Sequence, residues 1–357
     1  MLDCRLKHYQ GCSPQKRTNR ERHVTVDRRS VIVSSAAVIV STGLTTQTAI
    51  SAERPAAFKV SAGPFGVKSV NTLSFRIENQ TNDLQLRVTW PDAPGPFPVI
   101  IFSHGAASSK DLYTRVINHW ASHGYAAIQP THVDSESLGF KMGSITPTQL
   151  LMGRIGDMQF ILNNMNAIAD KAGIPGKLNQ DQIAVAGHSF GGQIALIMAG
   201  LPLMTPEGPK SYGDQRIKAL VSYNGTGPMD RIANDKWGEV TVPVLAASGT
   251  NDPGATGDGL LRSWRWRIGA YDLVGSKEKY AVSIAMGDHY FGGLICREGA
   301  GGKPDPEGLS YVNGASTAFL DAYLNGNAAA KNFLHTADLP AFTNNRAFLE
   351  RNLGAKP

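Results

Sequence analysis

Gln182-Ile183-Ala184-Val185-Ala186-Gly187-His188-Ser189-Phe190-Gly191-Gly192-Gln193-Ile194-Ala195-Leu196 is the most informative stretch of this chain. An apolar run of strand type passes into Gly-x-Ser-x-Gly, and a helical pattern with a small first turn follows. A residue on so sharp a strand-to-helix turn is strained, and its neighbours must lack bulk for the chain to close around it. The turn pushes the Ser189 hydroxyl above the strand ends, near the positive end of the next helix. In that setting the pentapeptide reads as a nucleophile elbow rather than a glycine-rich turn.

Outward from the elbow, short β-branched runs alternate with longer helical patterns. Strands are expected at Phe65–Ile77, Leu84–Trp90, Val99–Ser103, Ala126–Gln129, Ile183–Ala186, Ala219–Ser222, Val242–Ala247 and Tyr280–Ala285. Helices are expected at 110–122, 149–171, 191–200, 258–274 and 314–324. The first two strands flank the turn-like Asn79-Gln80-Thr81-Asn82-Asp83 and should pair antiparallel. Later strands are uninterrupted apolar runs, as parallel strands covered on both faces require. The expected fold is α/β, a doubly wound, mostly parallel sheet with an antiparallel N-terminal strand pair. In the helix around 153–169, Ile155, Met158, Ile161, Leu162, Met165 and Ile168 form a core face. Arg154 and Asp157, three residues apart, should form a structural ion pair. The loops at 131–148 and 200–214 are the candidates to shape a substrate entrance.

A serine hydroxyl needs a base to take its proton. With the order serine, acid, histidine, only His289 and His335 follow Ser189. His289 lies in a loop at a strand's carboxyl end, on the rim that carries Ser189, and is the expected base; His335 should lie past the last helix, on the surface. The acid should end the preceding strand, where Asp252 follows Val242–Ala247; Asp258 is the alternative, as a helix cap. Asp288 adjoins His289 and must point elsewhere. Ile100-Ile101-Phe102-Ser103-His104-Gly105-Ala106 supplies a strand and a His-Gly turn, so the backbone N–H groups of Ala106 and Phe190 are the expected oxyanion donors. His104 should brace that loop, and His188 should support the elbow. Leu260, Trp264 and Trp266, between acid and base, could line an apolar pocket or simply pack a helix.

The 357 residues carry a net charge of +6, a value that could signal an anionic partner. Counted by position, +5 of it falls in residues 1–52, on Arg5, Lys7, Lys16, Arg17, Arg20, Arg22, Arg28 and Arg29 against Asp3, Glu21 and Asp27. After Arg28-Arg29 comes a weakly apolar run diluted with Ser and Thr, ending at Ile50-Ser51-Ala52. This pattern reads as a cleaved export signal of twin-arginine type, with a membrane anchor or a buried helix as alternatives. Residues 53–357 then form a single catalytic domain, periplasmic or secreted, without a membrane span after cleavage. Export would remove Cys4 and Cys12 and leave Cys296 as a lone, buried thiol. No metal-ligand cluster, phosphate-binding loop or nucleic-acid signature stands out, so no cofactor, metal or nucleic-acid partner is expected. Oligomeric state has no signature in the sequence.

With Ser189, Asp252, His289 and the His104-Gly105 loop in chain order, residues 60–335 resemble the α/β-hydrolase superfamily. Phe102-Ser103-His104-Gly105, Ala121-Ser122-His123-Gly124-Tyr125, Arg154 with Asp157, Gly187–Gly192 and Asp288-His289-Tyr290-Phe291 are similar to one branch. It holds the platelet-activating-factor acetylhydrolases, chlorophyllase-like proteins and predicted dienelactone hydrolases. Ser61-Ala62-Gly63-Pro64-Phe65 is also similar to bacterial cutinases. The resemblance implies a cofactor-free serine esterase acting on a small-molecule or lipid-like ester. A serine peptidase or amidase, or a non-catalytic binding protein on the same scaffold, are the alternatives.

Overall fold

Along the third strand, Val99 and Ile101 enter one apolar core while Ile100 and Phe102 enter another, as strand alternation requires of a sheet covered on both faces. The computed structural model describes residues 58–78, 82–255 and 260–354. The expected export segment 1–52, the turn residues Asn79, Gln80 and Thr81, and Asp258 lie outside the described residues.

The strands in chain order are β1 (Val67–Phe75), β2 (Leu84–Pro91), β3 (Phe97–Ser103), β4 (Ala126–Thr131), β5 (Leu178–His188), β6 (Leu203–Thr205), β7 (Gly208–Lys210), β8 (Ile217–Tyr223), β9 (Val244–Gly249), β10 (Gly254–Ala255), β11 (Leu261–Arg262), β12 (Lys279–Ile284) and β13 (Ala347–Asn352). The helices are α1 (Thr114–Ser122), α2 (Pro147–Asn163), α3 (Met165–Lys171), α4 (Phe190–Met198), α5 (Gly269–Leu273), α6 (Pro306–Tyr323), α7 (Ala328–Thr336) and α8 (Leu339–Thr343). Among the described residues, nine strands form the main sheet in the order β1-β2-β4-β3-β5-β8-β9-β12-β13. From β4 to β12 the pairing is parallel; β1, β2 and β13 run antiparallel to their neighbours. The sheet is therefore the doubly wound α/β one expected, with its antiparallel start. One core takes side chains of α2, α3 and α4, the other those of α1, α6 and α7.

Three local differences have physical causes. The helix expected over 149–171 breaks at Asn164, whose side-chain amide turns back to the Phe160 carbonyl at 2.8 Å. Of the helix expected over 258–274, the described part, 260–274, holds β11, paired with β10, then a 3₁₀ turn over Trp264–Ile268 capped by Ser263, then the short α5. The last expected helix starts earlier, at Pro306, where Asp305 caps it by accepting from Gly308 N–H.

Candidate active site

The elbow is built by glycines that let three segments of backbone approach one another. A Cβ at Gly187 would lie 2.2 Å from the Gly191 carbonyl oxygen, and one at Gly191 would lie 2.0 Å from the Ser103 oxygen. No side chain fits either position, so β3, β5 and the first turn of α4 can pack as they do only around glycine. Ser189 sits between β5 and α4 at φ 54°, ψ −120°, a strained conformation for a non-glycine residue. Its amide donates to Tyr223 O at 2.9 Å, and its carbonyl accepts from Gly192 N–H at 2.9 Å. The residue remains partly exposed.

The expected acid and base meet. Asp252 follows β9 and is buried, while His289 follows β12, which lies beside β9 in the sheet. The two loops are stitched together by Thr250 N–H to Ile284 O and Asn251 N–H to Gly287 O, both at 2.9 Å. His289 Nδ1 lies 2.8 Å from Asp252 Oδ2. A carboxylate can only accept, so Nδ1 carries the proton and Nε2 of the neutral ring is left free. The base is placed beside the elbow by the residue preceding Ser189. His188 Nε2–H donates to the His289 carbonyl at 2.9 Å, and the two rings lie 4.7 Å apart. Its Nδ1 then accepts from the Tyr113 hydroxyl at 3.1 Å, while that hydroxyl accepts from Gly105 N–H at 2.8 Å. Burial, then the nearby His289, holds the His188 pKa well below the usual histidine value, so it serves as a neutral strut.

Two residues absent from the sequence-based site also grip the acid. Asn224 donates to Asp252 Oδ2 at 2.7 Å, and Arg267 Nε donates to Oδ1 at 3.0 Å. Arg267 also reaches the Pro253 carbonyl at 3.0 Å. The available signal was Arg267 in Trp264-Arg265-Trp266-Arg267, an arginine that lies two elements from its partner in the chain. Asp288 points away from the imidazole, as expected. Its carboxylate accepts from the amides of Tyr290, Gly292 and Gly302 and closes the loop that carries His289.

The His104–Ala106 turn follows β3, beside β5, and faces the first turn of α4. Among the described residues, neither the Ala106 nor the Phe190 amide donates to a protein acceptor. Both residues line a cavity of about 550 Å³ with Phe140, Ile145, Leu150 and Met229. Segment 131–148 supplies much of this wall, as expected. Segment 200–214 instead carries the β6–β7 hairpin and contributes nothing to the lining. Nor do the proposed pocket residues: Leu260 is 60% exposed, Trp264 packs against the core, and Trp266 lies flat against Gly227 and Gly254 with its N–H on Pro228 O. The contribution of Met229–Arg231 carried no signal in the sequence.

Arg154 and Asp157 are both buried on α2, and each finds its partner on the loop after β4. Arg154 takes Asp134 in a two-point ion pair, with Nε and Nη2 each at 2.8 Å, and Asp157 takes His132 Nδ1 at 2.7 Å. Helical spacing alone could not anticipate this, because both partners come from a tertiary contact. His104 braces its loop as expected: Nε2 accepts from His132 N–H at 2.9 Å, leaving Nδ1–H to reach Gly105 O at 2.7 Å. His335 belongs to α7, a helix the sequence reading did not anticipate, and lies 3.6 Å from Glu278. Cys296 is a buried free thiol, its pKa raised by burial. Among the described residues no His/Cys/Asp/Glu cluster could hold a metal ion, and no helix is long and apolar enough to cross a membrane.

The strand order, the elbow and the Asp252–His289 pair after the next strands are the marks of one superfamily. The chain has the α/β-hydrolase fold. Residues 56–204 match the family model for chlorophyllase, a span that holds the His104–Ala106 turn and Ser189 but ends before Asp252 and His289. Over 147 residues the chain is 27% identical to chlorophyllase-1 of Arabidopsis thaliana, covering 39% of this chain and 42% of that protein. A chloroplastic chlorophyllase-1 of Citrus sinensis is 29% identical over 117 residues, 32% of each chain. A putative carboxymethylenebutenolidase of Synechocystis is 26% identical over 162 residues, 44% of this chain and 60% of that one. The chain thus spans less than half the length of these chlorophyllases.

Proposed function

We propose that this protein is a cofactor-free serine hydrolase that cleaves a carboxylic ester bearing an apolar group. The reading rests above all on the Asp252–His289 hydrogen bond, set against the strained Ser189 by the His188 strut. Ser189 Oγ attacks the ester carbonyl carbon while its proton passes to His289 Nε2. The carbonyl oxygen becomes an oxyanion between the amides of Ala106 and Phe190. Collapse breaks the bond to the alcohol oxygen, which leaves with the proton from His289. Water then gives a proton to His289 and adds to the acyl carbon. The second collapse returns that proton to Ser189 and frees the carboxylic acid.

The cavity beside the two amides supports the apolar character of the substrate, since Phe140, Ile145, Leu150 and Met229 line it. Similarity to chlorophyllases and a carboxymethylenebutenolidase supports ester rather than amide cleavage. The basic, Ser/Thr-diluted leader over 1–52 supports action outside the cytoplasm after its removal. Turnover of p-nitrophenyl esters from acetate to laurate tests the proposal, with matching anilides as the amide control. Ester hydrolysis that Ser189→Ala abolishes is expected. No turnover, or turnover of the anilides alone, overturns it.

A further inference from the structure

Arg154 is fully buried, and every one of its five N–H groups is used. Nε and one Nη2 hydrogen hold Asp134; Nη1 reaches His104 O at 2.6 Å and Ser103 Oγ at 3.3 Å; Nη2 also reaches Gly105 O at 3.0 Å. Burying a guanidinium is costly, and one carboxylate would be partner enough for its charge. The additional contacts to two successive carbonyls of the His-Gly turn therefore call for a function.

Peptide geometry supplies it. In a trans peptide the C=O and N–H of one unit point in opposite directions. The carbonyl of the 104–105 unit is drawn to Arg154, and its N–H accordingly points away, to the Tyr113 hydroxyl at 2.8 Å. The carbonyl of the next unit, Gly105 O, accepts from Arg154, from His104 Nδ1–H and from Ser108 N–H. Its N–H belongs to Ala106 and points away from that carbonyl, and Ala106 and Phe190 line one cavity. The guanidinium also lies 4.6 Å from the centroid of the Phe190 ring, so it touches the residue of the second donor.

The rest of the buried cluster fixes Arg154 itself. Asp134 Oδ2 accepts from Ala107 N–H at 3.2 Å, just past the donor. Ser103 donates to His132 Nε2 at 2.9 Å, and His132 Nδ1–H donates to Asp157. Ser103, His132 and Asp157 thus stand in the order of a catalytic relay, but all are sealed from solvent and Ser103 is further occupied by Arg154.

We infer that Arg154 is a positioning residue for the oxyanion hole: by holding the carbonyls of His104 and Gly105 it aims the Ala106 amide at the reacting oxygen. The inference rests on the serine-esterase reading above. Arg154→Lys keeps the charge opposite Asp134 but cannot hold both carbonyls. It should lower kcat roughly 10- to 100-fold, within the cost of losing one oxyanion donor, while KM changes less than about threefold. A trifluoromethyl ketone, which forms a tetrahedral adduct on the serine, should lose affinity by the same factor as kcat. A merely structural role would lower active-site content or raise KM and leave the kcat and inhibitor losses out of step, and either result overturns the inference. A wild-type protein inert toward esters overturns the esterase reading and this inference with it; an active wild type with an unchanged lysine variant overturns the inference alone. Should the lysine variant fail to fold, a crystal structure of the native protein carrying a phosphonate on Ser189 decides. A phosphonyl oxygen within about 3.2 Å of Ala106 N, with Gly105 O still on Arg154, supports the inference. A Gly105 carbonyl turned off Arg154 overturns it.

Discussion

Acidification from pH 7 to pH 5 should strip this fold of much of its stability, because three histidines are sealed inside it in the neutral form. His104, His132 and His188 are buried, and each uses one ring nitrogen as an acceptor, from His132 N–H, the Ser103 hydroxyl and the Tyr113 hydroxyl respectively. Protonation would turn each acceptor into a donor facing a donor. Burial first, then Arg154 for His104 and His132 and His289 for His188, holds all three pKa values well below the usual one. In the unfolded chain the same rings titrate near the ordinary value of about 6.5. Below that pH the unfolded state binds more protons than the folded one, so stability falls as pH falls and keeps falling until the folded values are reached. From pH 7 to 5 linkage allows at most about 2 kcal/mol per ring, so at most roughly 6 kcal/mol for the three. A domain has only about 5–15 kcal/mol in total. Asp134 does not confuse this window: burial raises its pKa, but Arg154 outweighs burial and holds it below the carboxylate range. The stability it confers is lost as pH falls below about 5, through the ordinary carboxylate range and beneath it. Urea unfolding followed by circular dichroism at pH 7, 6 and 5 reads the loss directly. A fall of less than about 1.5 kcal/mol across the window would refute the claim that these rings are buried and neutral.

Other perturbations probe single contacts. Gly191→Ala places a methyl group 2.0 Å from the Ser103 carbonyl oxygen and 2.6 Å from that of His104. Because both contacts are backbone, it should cost more than about 3 kcal/mol in urea unfolding; a neutral result would mean the elbow is not closed as described. Arg267→Met removes one of the two side chains that hold the Asp252 carboxylate in place. It should lower kcat about tenfold with little change in KM; an unchanged kcat contradicts the role assigned to Arg267. Leu150→Trp fills part of the 550 Å³ cavity. Hydrolysis of the laurate ester should drop about tenfold or more in kcat/KM while acetate stays within about threefold. Equal effects on both would place the acyl chain elsewhere.

What could be read from sequence was what local sterics and chain order dictate. Gly187 and Gly191, flanking Ser189, announce the elbow because no side chain at either position lets the backbones meet there. Chain order then left His289 and His335, the loop at a strand's carboxyl end favoured His289, and the end of β9 pointed to Asp252. The contacts that hold these groups were not legible, since each joins residues far apart in sequence. Arg267 reaches Asp252 across the β10–β11 ladder, and Arg154 finds Asp134 on the loop after β4 although Asp157 stands one helical turn away. The β13 edge strand, half exposed and ending in Glu350-Arg351-Asn352, lacks the apolar run that marked the central strands. The 3₁₀ turn over Trp264–Ile268 carries large apolar residues at helix-like density, yet its geometry follows from the Ser263 cap and from Trp266 packing on glycine backbone.

Ser189 is proposed here as a nucleophile activated by His289 and Asp252. Intact-mass measurement after exposure to an organophosphonate, which phosphonylates activated serines, tests it most directly. One phosphonyl group is expected on the wild-type protein, on the peptide holding Ser189, and none on Ser189→Ala. No label on the wild type, or equal labelling of the alanine variant, would contradict it.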